Sequence, residues 1–409
     1  MVRRSVFRVS AVGVCLLLAV LAATPCPAQK KAATAPPKPA PAAQKATPAA
    51  APEKIVPCPP DFVLEKELPG EDPFWVYRPT FSPDGLTAAG FLHSSHKILI
   101  WDLKTAKVIK EYDESVHGMP ALDGFEYTAD GKMLILIYRD LPLKFLDLAA
   151  GKVVRTLPTA ADPKKVYDYA FSPDMKLLAF GTTTGIKLWD LEKGAQIATY
   201  LDGKTVSGLD IVYYKTKEGK LVRLMAYGLF LGKGAEFRDV AGIIDLDTGA
   251  VKPVLNDVPK EKVKLGDMTL FWVSFEHGGG YLMVGYSVFP PQVTAGVYLV
   301  GTATGKYLAD HALEQYILMY DACYLWKPFY GYLVCTRNMK VDPYKVSTEF
   351  LVITKTDGLT AIDCTREDKL AVQSVTVARD QSRALIATKA SQAAPSKVYL
   401  YRLVPKTPK

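Results

Sequence analysis

The chain has 409 residues, 49% of them hydrophobic, enough to bury a large core without metals or disulfides. Its formal net charge is +8, but eight of the 50 Lys/Arg and one of the 42 Asp/Glu lie in residues 1–54, leaving 42 and 41 for residues 55–409. The body is almost neutral, so it has no global basic field of the kind that draws nucleic acid, and none is expected as a partner.

The chain opens as an export leader. Arg3, Arg4 and Arg8 form a basic start, Ala11 to Thr24 is an apolar stretch short for a bilayer span, and Cys26-Pro27-Ala28 supplies small residues for cleavage after Ala28. A retained membrane anchor is the alternative. Residues 29–54 hold ten Ala, six Pro and five Lys, a composition that favours extended polyproline conformations and cannot bury a core. They are expected to be a flexible tether whose lysines touch an anionic envelope surface weakly and in a salt-dependent way. The expected location is exported, periplasmic or secreted.

Between Trp75 and the C-terminus one phrase recurs seven times: strand, tight turn, apolar strand, loop, strand, turn, strand. Its clearest copies run from Phe81 to Tyr112 and from Phe171 to Tyr200. The first strands end at Phe81, Tyr127, Phe171, Tyr213, Phe275, Leu325 and Val377, and the turns that follow include SPDG, TADG and SPDM. Such Pro, Asp and Gly clusters set the angles of tight hairpins. Third strands are expected at 97–103, 143–148, 186–191, 241–246, 296–300, 349–354 and 397–403. The last repeat lacks a fourth strand, and Phe62 to Leu68 resembles the fourth strands VIKEY and VVRTL. Docking that N-terminal strand onto the last repeat would pair an otherwise open edge.

A repeat of about 40–50 residues with Trp-Asp endings resembles the WD40-type propellers. The turn aspartate is carried by Asp84, Asp130 and Asp174, and the signature by Trp101-Asp102 and Trp189-Asp190, with Leu146-Asp147 as a weakened copy. The resemblance covers about residues 60–405 and three blades match it well. The Gly-His pair usual before the first strand is missing. Exported propellers of the TolB-like group use FSPDG turns too. The resemblance implies an all-β propeller, and the seven first-strand endings with the N-terminal strand completing the last repeat argue for seven blades, occupying 55–409 as a monomer.

In propellers the loops joining second to third strands, and fourth to first, share one face. These loops lengthen in three consecutive blades, at 228–240, 286–295 and 338–348, and should form one rim. Phe237, Arg238, Phe289, Tyr344 and Lys345 in them, with Phe230, mix aromatics and cations as interface hot spots do; Trp75, entering blade 1, falls on the same face. Phe230 and Phe289 could equally cap their own blades.

Asp168, Asp210, Asp123 and Asp321 precede the first-strand endings and could gather at the central channel, where carboxylates can hold a hard cation but more often accept backbone hydrogen bonds. His93-Ser94-Ser95-His96 has no third ligand, and Asp245 to Gly249 coincides with a hairpin turn. Cys323 and Cys335 flank a hairpin whose midpoint at Phe329 would put them opposite one another, open to a disulfide in an oxidising compartment; Cys58 and Cys364 pair only by elimination. No hydrolase elbow or phosphate loop occurs. The expectation is a non-enzymatic scaffold without cofactor that binds a protein or peptide through the rim of blades 4 to 6. The alternative is a propeller lactonase or hydrolase working at the channel through Asp168, Asp210 and Asp321.

Overall fold

Turn chemistry sets the repeat. The Ser82 hydroxyl donates to Asp84 Oδ1 at 2.6 Å, and that oxygen accepts the Leu86 N–H at 3.0 Å. Thr128 with Asp130 and Ser172 with Asp174 repeat the device; in the last repeat Asp380 instead accepts both the N–H and the hydroxyl of Ser382, two residues on. These hydroxyls, then the backbone amides, hold Asp84 and Asp130 below the usual carboxylate range. The Trp-Asp aspartates cap the next turn: Asp102 accepts the Thr105 N–H at 2.6 Å, and Asp147, Asp190 and Asp245 do the same in their repeats. Asx turns of this kind fix the chain reversal locally, before any tertiary contact forms. The Asp245 to Gly249 segment is therefore a hairpin turn.

The computed structural model describes residues 60–73, 76–113, 122–138, 143–157, 166–232, 237, 239–263, 268–276, 278–289, 294–312, 317–325, 331–338, 346–354, 358–363, 372–388 and 395–405, and between 317 and 363 the backbone alone. The expected leader (1–28) and tether (29–54), and Cys58 and Cys364, lie outside these residues. Among the described residues the body is all-β but for a 3-10 turn at Lys260–Lys262.

The strands group as the phrases require. β1 (Pro60–Asp72) stands first; then come β2 (Val76–Phe81), β3 (Thr87–Leu92), β4 (Lys97–Asp102) and β5 (Lys107–Asp113) in one antiparallel sheet. β6 (Leu122–Tyr127), β7 (Met133–Tyr138), β8 (Leu143–Asp147) and β9 (Lys152–Leu157) form the next, and β10 (Val166–Phe171), β11 (Leu177–Thr182), β12 (Gly185–Asp190) and β13 (Ala195–Tyr200) a third. β14 (Val206–Lys215), β15 (Leu221–Gly232), β16 (Ala241–Asp245) and β17 (Val251–Val254) join β18 (Met268–Phe275), β19 (Tyr281–Phe289), β20 (Thr294–Gly301) and β21 (Tyr307–Ala312) in one eight-stranded sheet. β22 (Ile317–Leu325), β23 (Gly331–Asn338), β24 (Val346–Thr354) and β25 (Gly358–Asp363) form another sheet of four. In the last, β26 (Val372–Val377), β27 (Arg383–Thr388) and β28 (Ser396–Pro405) are completed by β1. β1 runs antiparallel to β28 from Pro60↔Pro405 to Asp72↔Ser396. It is longer than the seven residues read from sequence, because its far end continues past Leu68 toward the first repeat.

Second strands are buried on both faces, and each face serves a different neighbour. In β7, Leu134, Leu136 and Tyr138 pack with Phe91, Ile98 and Ile100 of the first sheet. Ile135 and Ile137 turn the other way, onto Leu178, Phe180 and Trp189 of the third. Further clusters couple the third sheet to β14 and β15, those to β18 and β19, and β27 and β28 to β3 and β4. Among the described side chains, consecutive sheets thus bury their apolar faces against one another, as in repeat proteins.

Two expectations are corrected here. The 228–240 segment is not all loop: β15 continues to Gly232 and pairs across repeats with β18, Phe230↔Leu270 to Gly232↔Met268. The join depends on missing side chains, since a Cβ at Gly228 would lie 2.5 Å from the Phe271 carbonyl oxygen. Likewise β19 reaches Phe289, β20 begins at Thr294, β23 reaches Asn338 and β24 begins at Val346, so the strands claim much of the expected rim. Second, the register sets Cys323 opposite Leu333 and Cys335 opposite Asp321. The cysteines are diagonal rather than opposed, because the hairpin centre falls one residue before Phe329.

Gly228→Ala should therefore cost about 1–3 kcal/mol through overpacking against backbone. Gly232→Ala, in the same strand with nothing within 4 Å, should stay within about 0.5 kcal/mol. Denaturant unfolding of the two variants checks this; equal losses would remove the close approach as the cause.

Candidate functional site

At the base of the expected rim, Phe237 is half-buried and its ring rests on Phe271 and Tyr298, with centroids 5.8 and 6.1 Å away. It joins the core between β14–β16 and β18–β20. Its neighbour Asp239 sits at φ +56 and exchanges two 3.4 Å contacts with the Asn256 amide. The Tyr298 hydroxyl donates to the Lys262 carbonyl at 2.8 Å. Phe237 is thus a foundation of the loop rather than a free contact. Phe230 lies in β15 and stacks on Tyr167, centroids 6.4 Å apart at 14°. Trp75, Arg238, Tyr344 and Lys345 lie outside the described residues, and so does the side chain of Phe289. The described loop stems bring Phe237 and Phe230 into packing.

The acidic candidates do framework work. Asp168 of β10 accepts the Leu209 N–H of β14 at 2.8 Å, and Asp210 of β14 accepts the Phe275 N–H of β18 at 2.7 Å and the Ile211 N–H at 2.8 Å. Each carboxylate reaches from one first strand to the first strand of the next repeat. Burial pushes Asp210 up to about 7, opposed by its two amides and reinforced by the charge of Asp168. Asp123 and Asp321 lie in β6 and β22, with side chains outside the described set. Among the described residues no group of three or more His, Cys, Asp or Glu could hold a metal ion.

A second set of cross-repeat bonds was missed from sequence. Lys66 of β1 donates to the carbonyls of Leu103 and Lys104, and Lys110 of β5 to that of Leu148. Arg155 of β9 donates to Glu192 at 3.1 Å and Lys252 of β17 to Ala303 at 2.7 Å. In each case a fourth-strand cation ties the third-to-fourth turn of the following repeat. The signal was present in VIKEY and VVRTL, where a cation follows two aliphatic residues. Such a residue reads as an ordinary exposed charge until the neighbouring turn is in place.

The Asp210 bond has a pH signature. A carboxyl raised above its ordinary 3.8 contributes most to stability below that value and loses the contribution as pH rises toward 7. The stability margin of wild type over Asp210→Asn should therefore be larger at pH 5 than at pH 8, read by urea unfolding of both proteins. A margin that grows with pH would contradict the assignment.

No family model matches the chain, and no curated protein matches it. Among solved structures it is similar to the crystal structure of RRP9 WD40 repeats, with a TM-score of 0.59 and 11% identity, covering 84% of this chain and 100% of that one. Identity this low speaks to the fold alone. With its antiparallel four-strand sheets, the likeness shows that this chain has the fold of a WD40-type β-propeller.

Proposed function

We propose that the protein is an exported, non-enzymatic propeller scaffold that binds a protein or peptide partner through the face carrying the second-to-third strand connections of repeats 4 to 6. In this reading there are seven blades, the eight-stranded sheet counting as two joined by the β15–β18 pairing, and the β1–β28 pairing closes the last. The observation that carries it is how the polar side chains of the regular repeats are used. Turn aspartates, Asp168, Asp210 and the fourth-strand cations are committed to backbone groups of the frame. Variation is left to connecting segments, where binding residues concentrate when a rigid scaffold positions them. The basic and apolar start of the chain supports export.

Since Phe237 supports the core, the partner contact is assigned to Arg238, Tyr344, Lys345, Trp75 and Phe289. Crosslinking the full chain in its native envelope or secreted fraction should capture one reproducible partner. Arg238→Glu, Tyr344→Ala and Lys345→Glu combined should abolish that capture and leave the unfolding midpoint unchanged. Undiminished capture by the folded triple variant would move the interface elsewhere.

A further inference from the structure

An open sheet edge is a template for another strand unless it is blunted by bulges, charges or proline. The fourth strands of this fold share one such device. A bulge sets one extra aliphatic residue outward, Ile109 in β5, Val154 in β9 and Leu308 in β21, each about half-exposed. Charge completes the protection. Lys110 and Arg155 follow the bulged residue and tie the next turn. Asp310, two residues past Leu308, is bound by Lys262, and the short β17 carries Lys252 and Pro253.

β13 has the bulge without the charge. Its extra residue is Ile197, between the pairs Leu188↔Ala198 and Trp189↔Gln196, and it is 48% exposed. Ala198 stands where β5 has Lys110 and β9 has Arg155. Of β1, β5, β9, β13, β17, β21 and β25, only β13 has no charged residue. It has no Gly or Pro either, and Ile197, Thr199 and Tyr200 favour strands. Gln196 Nε2 donates to Thr199 Oγ1 at 2.9 Å, so these polar side chains meet on the strand itself. β13 pairs with β12 on one side and ends its sheet on the other.

We propose that β13 is a self-association edge, on which a second copy of this chain lays its own β13 antiparallel and joins the two sheets. The charges beyond the strand ends select that occupant. Glu192 and Lys193 precede β13, Asp202 and Lys204 follow it, and all four are exposed. Within the chain Glu192 meets only Lys176, at 2.9 Å, and Lys193 meets Asp190 at 3.2 Å. An antiparallel copy brings the start of one strand beside the end of the other. A two-fold axis at Ala198 sets Glu192 toward Lys204 at both ends. An axis at Ile197 would set Glu192 toward Asp202, and like charges directly opposite destabilise. A two-fold contact uses the same patch twice and closes at a dimer. Six residues of edge make a small interface, so the association is reversible and the monomer expected from sequence is the dilute form.

Sedimentation velocity of the full chain over a rising concentration series tests this. Wild type should pass from monomer to dimer. Ile197→Lys and Thr199→Lys should each weaken the dimer by roughly tenfold or more, because an edge lysine blocks strand addition. Both side chains are exposed, so the unfolding midpoint should not move. Ile109→Lys, at the same place on β5, should leave the dimer intact. Glu192→Lys should weaken it, and adding Lys204→Glu should restore it. A wild type that stays monomeric throughout overturns the proposal, whether or not another protein is captured at β13. So does a dimer that survives in the folded β13 variants, an equal loss in Ile109→Lys, or a charge swap that fails to restore. Should Ile197→Lys fail to fold, Thr199→Lys carries the test.

Discussion

The pairing of β1 with β28 is the contact on which the rest of the structure depends. It joins residues such as Glu67 and Lys397, 330 positions apart. The entropic cost of so long a closure grows only logarithmically, by about 0.6 kcal/mol per doubling of length. Nine register positions, three ion pairs and a bulge between Leu64 and Lys66 specify the alignment. Several groups elsewhere lean on it. The fully buried Trp101 donates its indole N–H to the Pro69 carbonyl at 2.6 Å, Lys66 ties the β4–β5 turn, and Asp72 holds the β3–β4 turn. Without β1, each would leave a buried or bridging polar group without its partner, a cost of roughly 1–3 kcal/mol for a buried group.

The rest of the frame repeats one principle at three radii. First-strand carboxylates reach forward to the next first strand, apolar second strands are buried on both faces, and fourth-strand cations reach forward to the next turn. Individually the exposed cation bonds are weak. Their contribution is to tie each fourth strand to the turn of the next sheet.

Repeats 4 and 5 depart from this scheme. The tail of β15 leaves its own sheet to pair with β18, over a stretch where Gly208 and Gly228 would each bring a Cβ within 2.5 Å of the β18 backbone. The join draws Phe230 and Phe237 into packing.

Strand order, the repeat markers and the N-terminal completion of the last sheet were legible in the sequence. They are written in local chemistry: Ser/Thr-x-Asp turns, Asp-capped reversals and apolar runs whose meaning does not depend on distant residues. The framework role of Asp168 and Asp210 was one of two readings open in the sequence, favoured there because such carboxylates more often accept backbone hydrogen bonds than hold a cation. What the sequence could not place were the points where repeats touch. Phe237 looked like a loop aromatic until Phe271 and Tyr298 closed over it, and Cys323 and Cys335 looked opposed until a one-residue shift of the hairpin centre set them diagonal. Lys110 and Arg155 read as ordinary exposed charges, and Ser94 gave no sign of its partner. Local dihedral preferences and periodicity determine the strands from sequence alone, whereas the neighbour each side chain meets is decided only when the sheets pack.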